Sequence, residues 1–294
     1  MINKLPSDFA VFILTNSRPD RVLTYKTLRK YGYTGPIYLI VDNLDASLSK
    51  YREIYSDEVI VFDKKLMAKT FDIGDNFNNF RTVTYARNAC FGIARKLGIK
   101  YFLQLDDDYT RFEYRFDHNN NYTYCRLNNL NEVLSAMLEF YISCSGITSL
   151  SMAQGGDFIG GYGNQTMSQK VILLRKCMNS FICSTEREFQ FIARLNDDVT
   201  TYTRYGQLGV LLCTTNQVSL GQLQTQSNPG GLTEVYLYNG TYVKSFYSVM
   251  FSPSCVKIGL LHDHQGHGQN SRIHHAIQWK YCTPKILPEN LRKA

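Results

Sequence analysis

The sequence predicts an α/β protein with a mostly parallel central sheet flanked by helices. Three observations predict it. Compact apolar runs of strand length, FAVFILT, IYLIV and YFLQL, each end on polar or charged residues. Segments with helical spacing of apolar residues alternate with them, which is the signature of parallel strands joined by right-handed crossovers. A content of 44% hydrophobic and 19% charged residues describes a folded chain, and no apolar run approaches the roughly 20 residues of a membrane span.

The elements follow in order. Phe9 to Thr15 is a central strand, and NSRPD after it is a polar turn in which Ser17 is placed to cap a helix opening near Arg18 or Pro19. That helix, DRVLTYKTLRKYG, stops at Gly32. Pro36 opens a second strand ending on Asp42, residues 46–56 form a helix, and Glu58 to Phe62 form a third strand. Residues 63–80 are a polar loop. Arg81 to Leu97 carries Val83, Ala86, Cys90, Ile93 and Leu97 near helical spacing and ends at Gly98. The strand KYFLQL then runs into Asp106, Asp107 and Asp108. In open α/β sheets ligands sit beyond the carboxyl ends of the strands. Thr15, Asp42 and Asp106 all lie at such ends, so three separate stretches should meet at one crevice.

The second half has a different texture. Residues 109–127 read as a hairpin or a long loop, 129–142 as a helix, and ITSLSMA as a strand. The glycine-rich QGGDFIGGYGNQ lacks the GK[ST] of a Walker loop, so close packing or acceptor access explains it. Glu186 to Leu195 is expected to be helical, and Asn196-Asp197-Asp198 opens another helix. EVYLYNGTYVKSF alternates around Asn239-Gly240 as a hairpin does. No repeat or low-complexity linker divides the chain. We expect one catalytic domain over 1–294, with halves 1–108 and 109–294.

Three adjacent carboxylates repel one another unless solvent or a cation screens them. On extended backbone Asp106 and Asp108 leave the same face, a spacing that suits a hard divalent cation; a solvated acidic turn is the plainer explanation. Asp197-Asp198 is either a helix N-cap or holds a general base. Arg18 and Arg87 sit in short polar stretches facing the expected crevice, where guanidinium groups suit a diphosphate. Five of six histidines fall in HDHQGHGQNSRIHH, at 262, 264, 267, 274 and 275. They could bind zinc, lend one ligand to the cation of the Asp triplet, or, for His275, point into the core. The eight cysteines form no CxxC pair and read as free thiols in a reducing cytoplasm, the host's if the chain is viral. A net charge of +7 permits a polyanionic partner, and Tyr interleaves with Arg in TRFEYRF and TTYTRYG.

TNSRP after the first strand, VDN closing the second, TYARN on a helix and LQLDDD together resemble a GT-A glycosyltransferase. The similarity is to the TET-associated type of phages, which modifies hydroxymethylated pyrimidines in DNA. It spans residues 8–110 well and the rest loosely. The resemblance implies a GT-A-like, Rossmann-type fold with a hairpin-containing acceptor half, a UDP-sugar donor, and manganese or magnesium. Thr15, Arg18 and Asp42 would line the nucleotide pocket, with Arg87 at the diphosphate or sugar. Asp106 and Asp108 would hold the metal and Asp106 also the donor, and Asp198 of the acidic pair would be the base. His275, His274 or His262 would complete the metal site, His275 being our choice. The expected reaction is sugar transfer, with inversion, to a hydroxymethyl group on a DNA base. The rivals are a glycan, protein or small-molecule acceptor, nucleotidyl transfer, and a silent nucleotide- or DNA-binding module.

Overall fold

The computed structural model describes residues 4–77, 79–154, 170–175, 177, 180–223, 242–261, 272–287 and 289. The first four strands are β1 (Phe9–Leu14), β2 (Ile37–Asp42), β3 (Val59–Phe62) and β4 (Tyr101–Asp106). They are mutually parallel in the order β3-β2-β1-β4, with Leu14 opposite Asp106 and Asp42 opposite Phe62. Their carboxyl ends therefore lie along one edge, as expected. The sheet continues through β9 (Ser180–Ser184), β7 (Ile147–Gln154), β10 (Leu211–Gln222), β5 (Tyr109–Phe116) and β6 (Tyr122–Arg126), while β8 (Val171–Ile172) pairs with β10. β9 runs antiparallel to β4, whereas β7 and β10 are parallel to each other. β5 and β6 form the hairpin expected over 109–127. β11 (Val256–Leu261) and β12 (Arg272–Ile277) make a separate two-stranded sheet. This is the α/β class with a helix-flanked central sheet that the sequence predicts, parallel over β1 to β4 and mixed beyond them.

Period-two alternation gives the sheet two cores. Val11, Ile13, Leu39, Leu103 and Leu105 face one side, under α1 (Leu23–Lys30), α2 (Leu48–Tyr55) and α5 (Leu130–Ser143). Ala10, Phe12, Leu14, Ile40 and Phe102 face the other, under α4 (Thr84–Leu97) and α6 (Asp197–Gln207). Phe12 and Phe102 stack there with centroids 5.0 Å apart. Each such side chain contributes about 1.5–3 kcal/mol by leaving water. All eight cysteines are free, six of them buried. Among the described residues no helix is long and apolar enough to cross a membrane.

Four local expectations change. Residues 186–195 are not helical. Phe189, Phe191, Ala193 and Leu195 are buried at a period of two, so the segment turns alternate side chains inward as an irregular stretch, and Asn88 of α4 exchanges side-chain bonds with both backbone groups of Phe191. Tyr242–Phe251 is an α-helix rather than the second arm of a hairpin, because Val243, Tyr247 and Phe251 pack at intervals of four against Ala193 and Leu195. The Asn239-Gly240 turn itself lies outside the described residues, as does the glycine-rich loop from 155 onward. Ser17 does not cap a helix: it holds φ +60° while its amide donates to Asp45, and a 3₁₀ turn at Pro19–Arg21 precedes α1. The loop after β3 contains a short helix, α3 (Lys64–Met67), whose N-cap Asp63 accepts from Leu66 N at 2.9 Å.

Candidate active site

β4 ends at Asp106, and Asp107 and Asp108 make the turn into β5. Asp108 is therefore not on strand backbone, contrary to the spacing argument. The alternation that sorts the core also splits the triplet. Asp106 faces the α4 and α6 side, whereas Asp107 turns back toward α1 and α2. There its Oδ2 accepts from Thr15 Oγ1 at 2.6 Å and its Oδ1 pairs with Arg18 Nη2 at 3.0 Å. The Tyr51 hydroxyl bonds Thr15 Oγ1 at 2.8 Å and accepts from Arg18 N at 2.9 Å. Thr24 fastens the turn, donating its hydroxyl to Asp106 O at 2.6 Å and accepting from Tyr109 N at 2.9 Å. Thr15 and Arg18 thus meet at Asp107, a residue to which the sequence reading assigns no role.

Asp42 also lies at the edge, buried. Its carboxylate accepts from Asn16 Nδ2 at 2.8 Å, Lys64 Nζ at 2.8 Å and Leu44 N at 3.0 Å. This closes the ends of β1 and β2 together.

Arg87 departs most from expectation. It does not open onto the crevice; its side chain is 1% exposed and lies between two carboxylates. Nε donates to Asp197 Oδ2 at 2.7 Å and Nη2 to Asp106 Oδ1 at 3.0 Å. The rings of Phe181 and Phe191 lie 5.0 and 5.6 Å from its Cζ. Burial works against the Arg87 charge, and the flanking Asp106 and Asp197 overcome it and keep the group protonated. One buried cation therefore joins the Asp triplet to the acidic pair, whose Asp197 lies 110 residues beyond Arg87 in sequence.

Asp197 and Asp198 are the first two residues of α6 and both are buried. Neither is the N-cap. That position belongs to Asn196, held at φ +60°, a conformation that Asn tolerates. The Asn196 amide bonds Ser248 Oγ at 2.8 Å and His275 Nδ1 at 2.9 Å. So the structure brings His275, from β12, beside the acidic pair, while His274 Nδ1 bonds the His275 carbonyl at 2.9 Å. His262, His264 and His267 lie outside the described residues.

The backbone before Asp197 is fixed by a clamp that the sequence did not reveal. Arg194 bonds Asp75 through Nε at 2.7 Å and Nη2 at 2.8 Å, and Asp75 also accepts from the Tyr247 hydroxyl. Thr82 and Thr84 hydroxyls donate to the carbonyls of Arg194 and Ala193, each at 2.7 Å. Ala193 sits at φ +73°, a left-handed conformation that this clamp maintains.

Electrostatics favour added positive charge at the triplet. Burial pushes the carboxyls of Asp106, Asp107 and Asp108 up to about 6. Arg87 opposes the rise at Asp106 and Arg18 opposes it at Asp107, while the charge of Asp107 adds to it at Asp108. Burial raises Asp197 too, against the pull of Arg87. Arg18 and Arg87 pair with Asp107, Asp106 and Asp197 of this group. The half-buried oxygens of Asp106 and Asp108 are hard donors of the kind that binds manganese or magnesium, so the donor chemistry fits such a cation. Among the described residues no three His, Cys, Asp or Glu side chains are already gathered as a metal site.

A sheet of this order places the aspartate triplet at the carboxyl edge, where open α/β sheets bind their ligands. The family model of the TET-Associated Glycosyltransferases matches residues 9–231, and the chain belongs to that family. It is accordingly an enzyme of the glycosyltransferase class. No curated protein sequence matches it. Among solved structures, a mycobacterial protein is 7% identical, with 92% of this chain and 83% of that chain covered and a TM-score of 0.46. S. aureus TarS 1–349 in complex with UDP is 11% identical, with 83% and 64% covered and a TM-score of 0.44. The mannosyltransferase PcManGT from Pyrobaculum calidifontis, in complex with GDP-Man and Mn2+, is 11% identical, with 83% and 73% covered and a TM-score of 0.42.

Proposed function

We propose that this chain transfers a sugar from a UDP-sugar to the hydroxymethyl group of a base in DNA, with the help of manganese or magnesium. The observation that carries the reading is the single network at the carboxyl edge, in which Arg87 ties Asp106 to Asp197 beside Asp198. Donor handling and acceptor deprotonation would then occur within one rigid unit. Asp106 and Asp108 would hold the cation, with His275, bonded to the Asn196 amide that precedes the acidic pair, as the imidazole we assign to it. When bound, the cation supplies Lewis-acid stabilisation of the departing diphosphate. Arg18, braced by Asp107, offers a guanidinium beside the same phosphates. Thr15 and Asp42 keep the floor of the nucleotide pocket in place. Asp198 takes the proton of the acceptor hydroxyl, and attack from that side inverts the sugar carbon. The acceptor base leaves its stack to reach the crevice, and the net charge of +7 favours a polyanion.

The test is to incubate the protein with a panel of UDP-sugars, manganese, and plain or hydroxymethylated DNA, then digest to nucleosides for mass spectrometry. A hexose-type mass gain confined to the hydroxymethylated nucleoside is expected. Transfer to a glycan, peptide or small hydroxyl compound with DNA untouched would replace the acceptor assignment. For the cation, Asp108→Ala should cut turnover by about a hundredfold or more with an unchanged melting temperature. Wild-type turnover by that variant in chelator-treated buffer would remove the triplet from the reaction.

A further inference from the structure

The chain that leads into the acidic pair is organised by a single side chain. Arg194 stands three residues before Asp197, its side chain 4% exposed, and places all five of its N–H donors within the protein. Nε and one Nη2 hydrogen bind the two oxygens of Asp75 at 2.7 and 2.8 Å. The other Nη2 hydrogen goes to Phe77 O at 3.4 Å, and Nη1 donates to Asn79 O and, at 3.4 Å, to Arg81 O. The connection from β3 to α4 is thus wound around one guanidinium. The backbones are joined as well, with Ala193 N and Arg194 N donating to Asp72 O and Ile73 O at 3.1 and 2.9 Å. A Cβ on Gly74 would stand 2.6 Å from the Phe251 ring, so the helix Tyr242–Phe251 closes against this connection while its Tyr247 hydroxyl binds Asp75.

One face of α4 holds the same stretch. Thr84, Arg87 and Asn88, at spacings of three and four, bond Ala193 O, Asp197 Oδ2 and both backbone groups of Phe191. Between these holds the backbone is left-handed twice, at Ala193 (φ +73°) and Asn196 (φ +60°). Asparagine tolerates that conformation, whereas alanine keeps it only where its surroundings impose it. Return of Ala193 to an ordinary φ near −60° would redirect the chain four residues before Asp197. A general base works only within hydrogen-bond reach of the proton it takes, and a displacement of about 1 Å can cost a hundredfold in rate.

We propose that Arg194 is a positioning residue for the reaction, holding Ala193 left-handed so that the acidic pair presents Asp198 to the acceptor hydroxyl. The inference rests on the reading of Asp198 as the base and adds the device that aims it. Arg194 acts through the backbone, so its loss should lower kcat and leave donor KM near the wild-type value.

The experiment reads kcat and the KM of the UDP-sugar by UDP release with hydroxymethylated DNA present, at a temperature where melting curves show each variant folded. Arg194→Lys keeps a cation beside Asp75 but lacks the planar fork that gathers the carbonyls. Its kcat should fall by about tenfold to a hundredfold, with KM within about twofold of wild type. Glycine takes a positive φ without strain, so Ala193→Gly added to Arg194→Lys should restore kcat by about fivefold. Arg187→Lys is the control: Arg187 also binds three carbonyls, of Tyr141, Cys144 and Ile147, and its loss should lower melting with kcat unchanged. Tyr247→Phe removes one oxygen from the clamp and should lower kcat by about threefold, which decides the matter if Arg194→Lys does not fold. Unchanged kcat in folded Arg194→Lys or, failing that variant, in Tyr247→Phe would overturn the positioning role. So would a loss carried by KM alone, or no recovery with glycine. The two readings fail separately. A damaging Asp198→Asn beside a harmless Arg194→Lys would keep the base and remove the clamp from the reaction. The reverse would remove the base and keep the clamp as the device that positions Asp197.

Discussion

Arg87→Met is expected to lower stability by about 3–5 kcal/mol, the cost of removing one partner from a buried ion pair. The methionine would fill much of the volume between Phe181 and Phe191, so the loss comes mainly from the carboxylates of Asp106 and Asp197 left without their cation. The deficit should depend on pH. Both carboxyls are already raised by burial, and without Arg87 they rise further. A carboxyl whose folded pKa exceeds its unfolded value favours the folded state most when protonated, so stability falls as pH rises from about 4 through the folded pKa. The variant should therefore be least impaired near pH 4 to 5 and most impaired above pH 7. Urea unfolding at pH 5 and pH 8 measures this. Should the variant melt like the wild type at both values and lose only donor affinity, Arg87 would be a diphosphate ligand, as its place in TYARN first implied, and not an internal strut.

Asp198→Asn should reduce kcat by about two to four orders of magnitude, the range typical of losing a general base. The substitution keeps size and polarity, and the bond from Val199 N to Oδ1, at 2.8 Å, can still be made. Melting should change little, and donor KM should stay near the wild-type value. Asp197→Asn is the informative companion. It breaks the 2.7 Å ion pair with Arg87, so it should lower the melting temperature as well as turnover. The pair is thus expected to separate into one residue read by kinetics and one read by unfolding. A large kcat loss at Asp197 with normal melting, and a harmless Asp198→Asn, would exchange the two roles.

The parts of the chain that the sequence made legible are those whose partners are close in sequence. β1 to β4 and α4 carry strong apolar periods and clear stops, and parallel crossovers then place Thr15, Asp42 and Asp106 on one edge. Asp107 follows the alternation of β4 to the face opposite Asp106, where it meets Thr15 and Arg18. In 186–195 the composition is compatible with a helix, whereas the alternation Phe189, Phe191, Ala193, Leu195 is the pattern that burial follows. Tyr242–Phe251 went the other way: a turn dipeptide just before it outweighed a four-residue spacing within it. Arg87 could not be placed from local signals at all. Its environment is set by Asp197, 110 residues later, and only tertiary packing decides whether such a guanidinium faces a ligand or a carboxylate.

The pairing of β4 with β9 limits how this enzyme can be recombined with its relatives. A chimera joined just after Asp108 would take β9 and Asp197 from a foreign half, so the edge of β4 and the Asp197 end of the Arg87 strut would depend on a mismatched partner. The exchangeable unit is therefore not the sequence half. Residues 180–207, carrying β9 and α6, travel with β1 to β4, and segments can be exchanged with a relative only on either side of them.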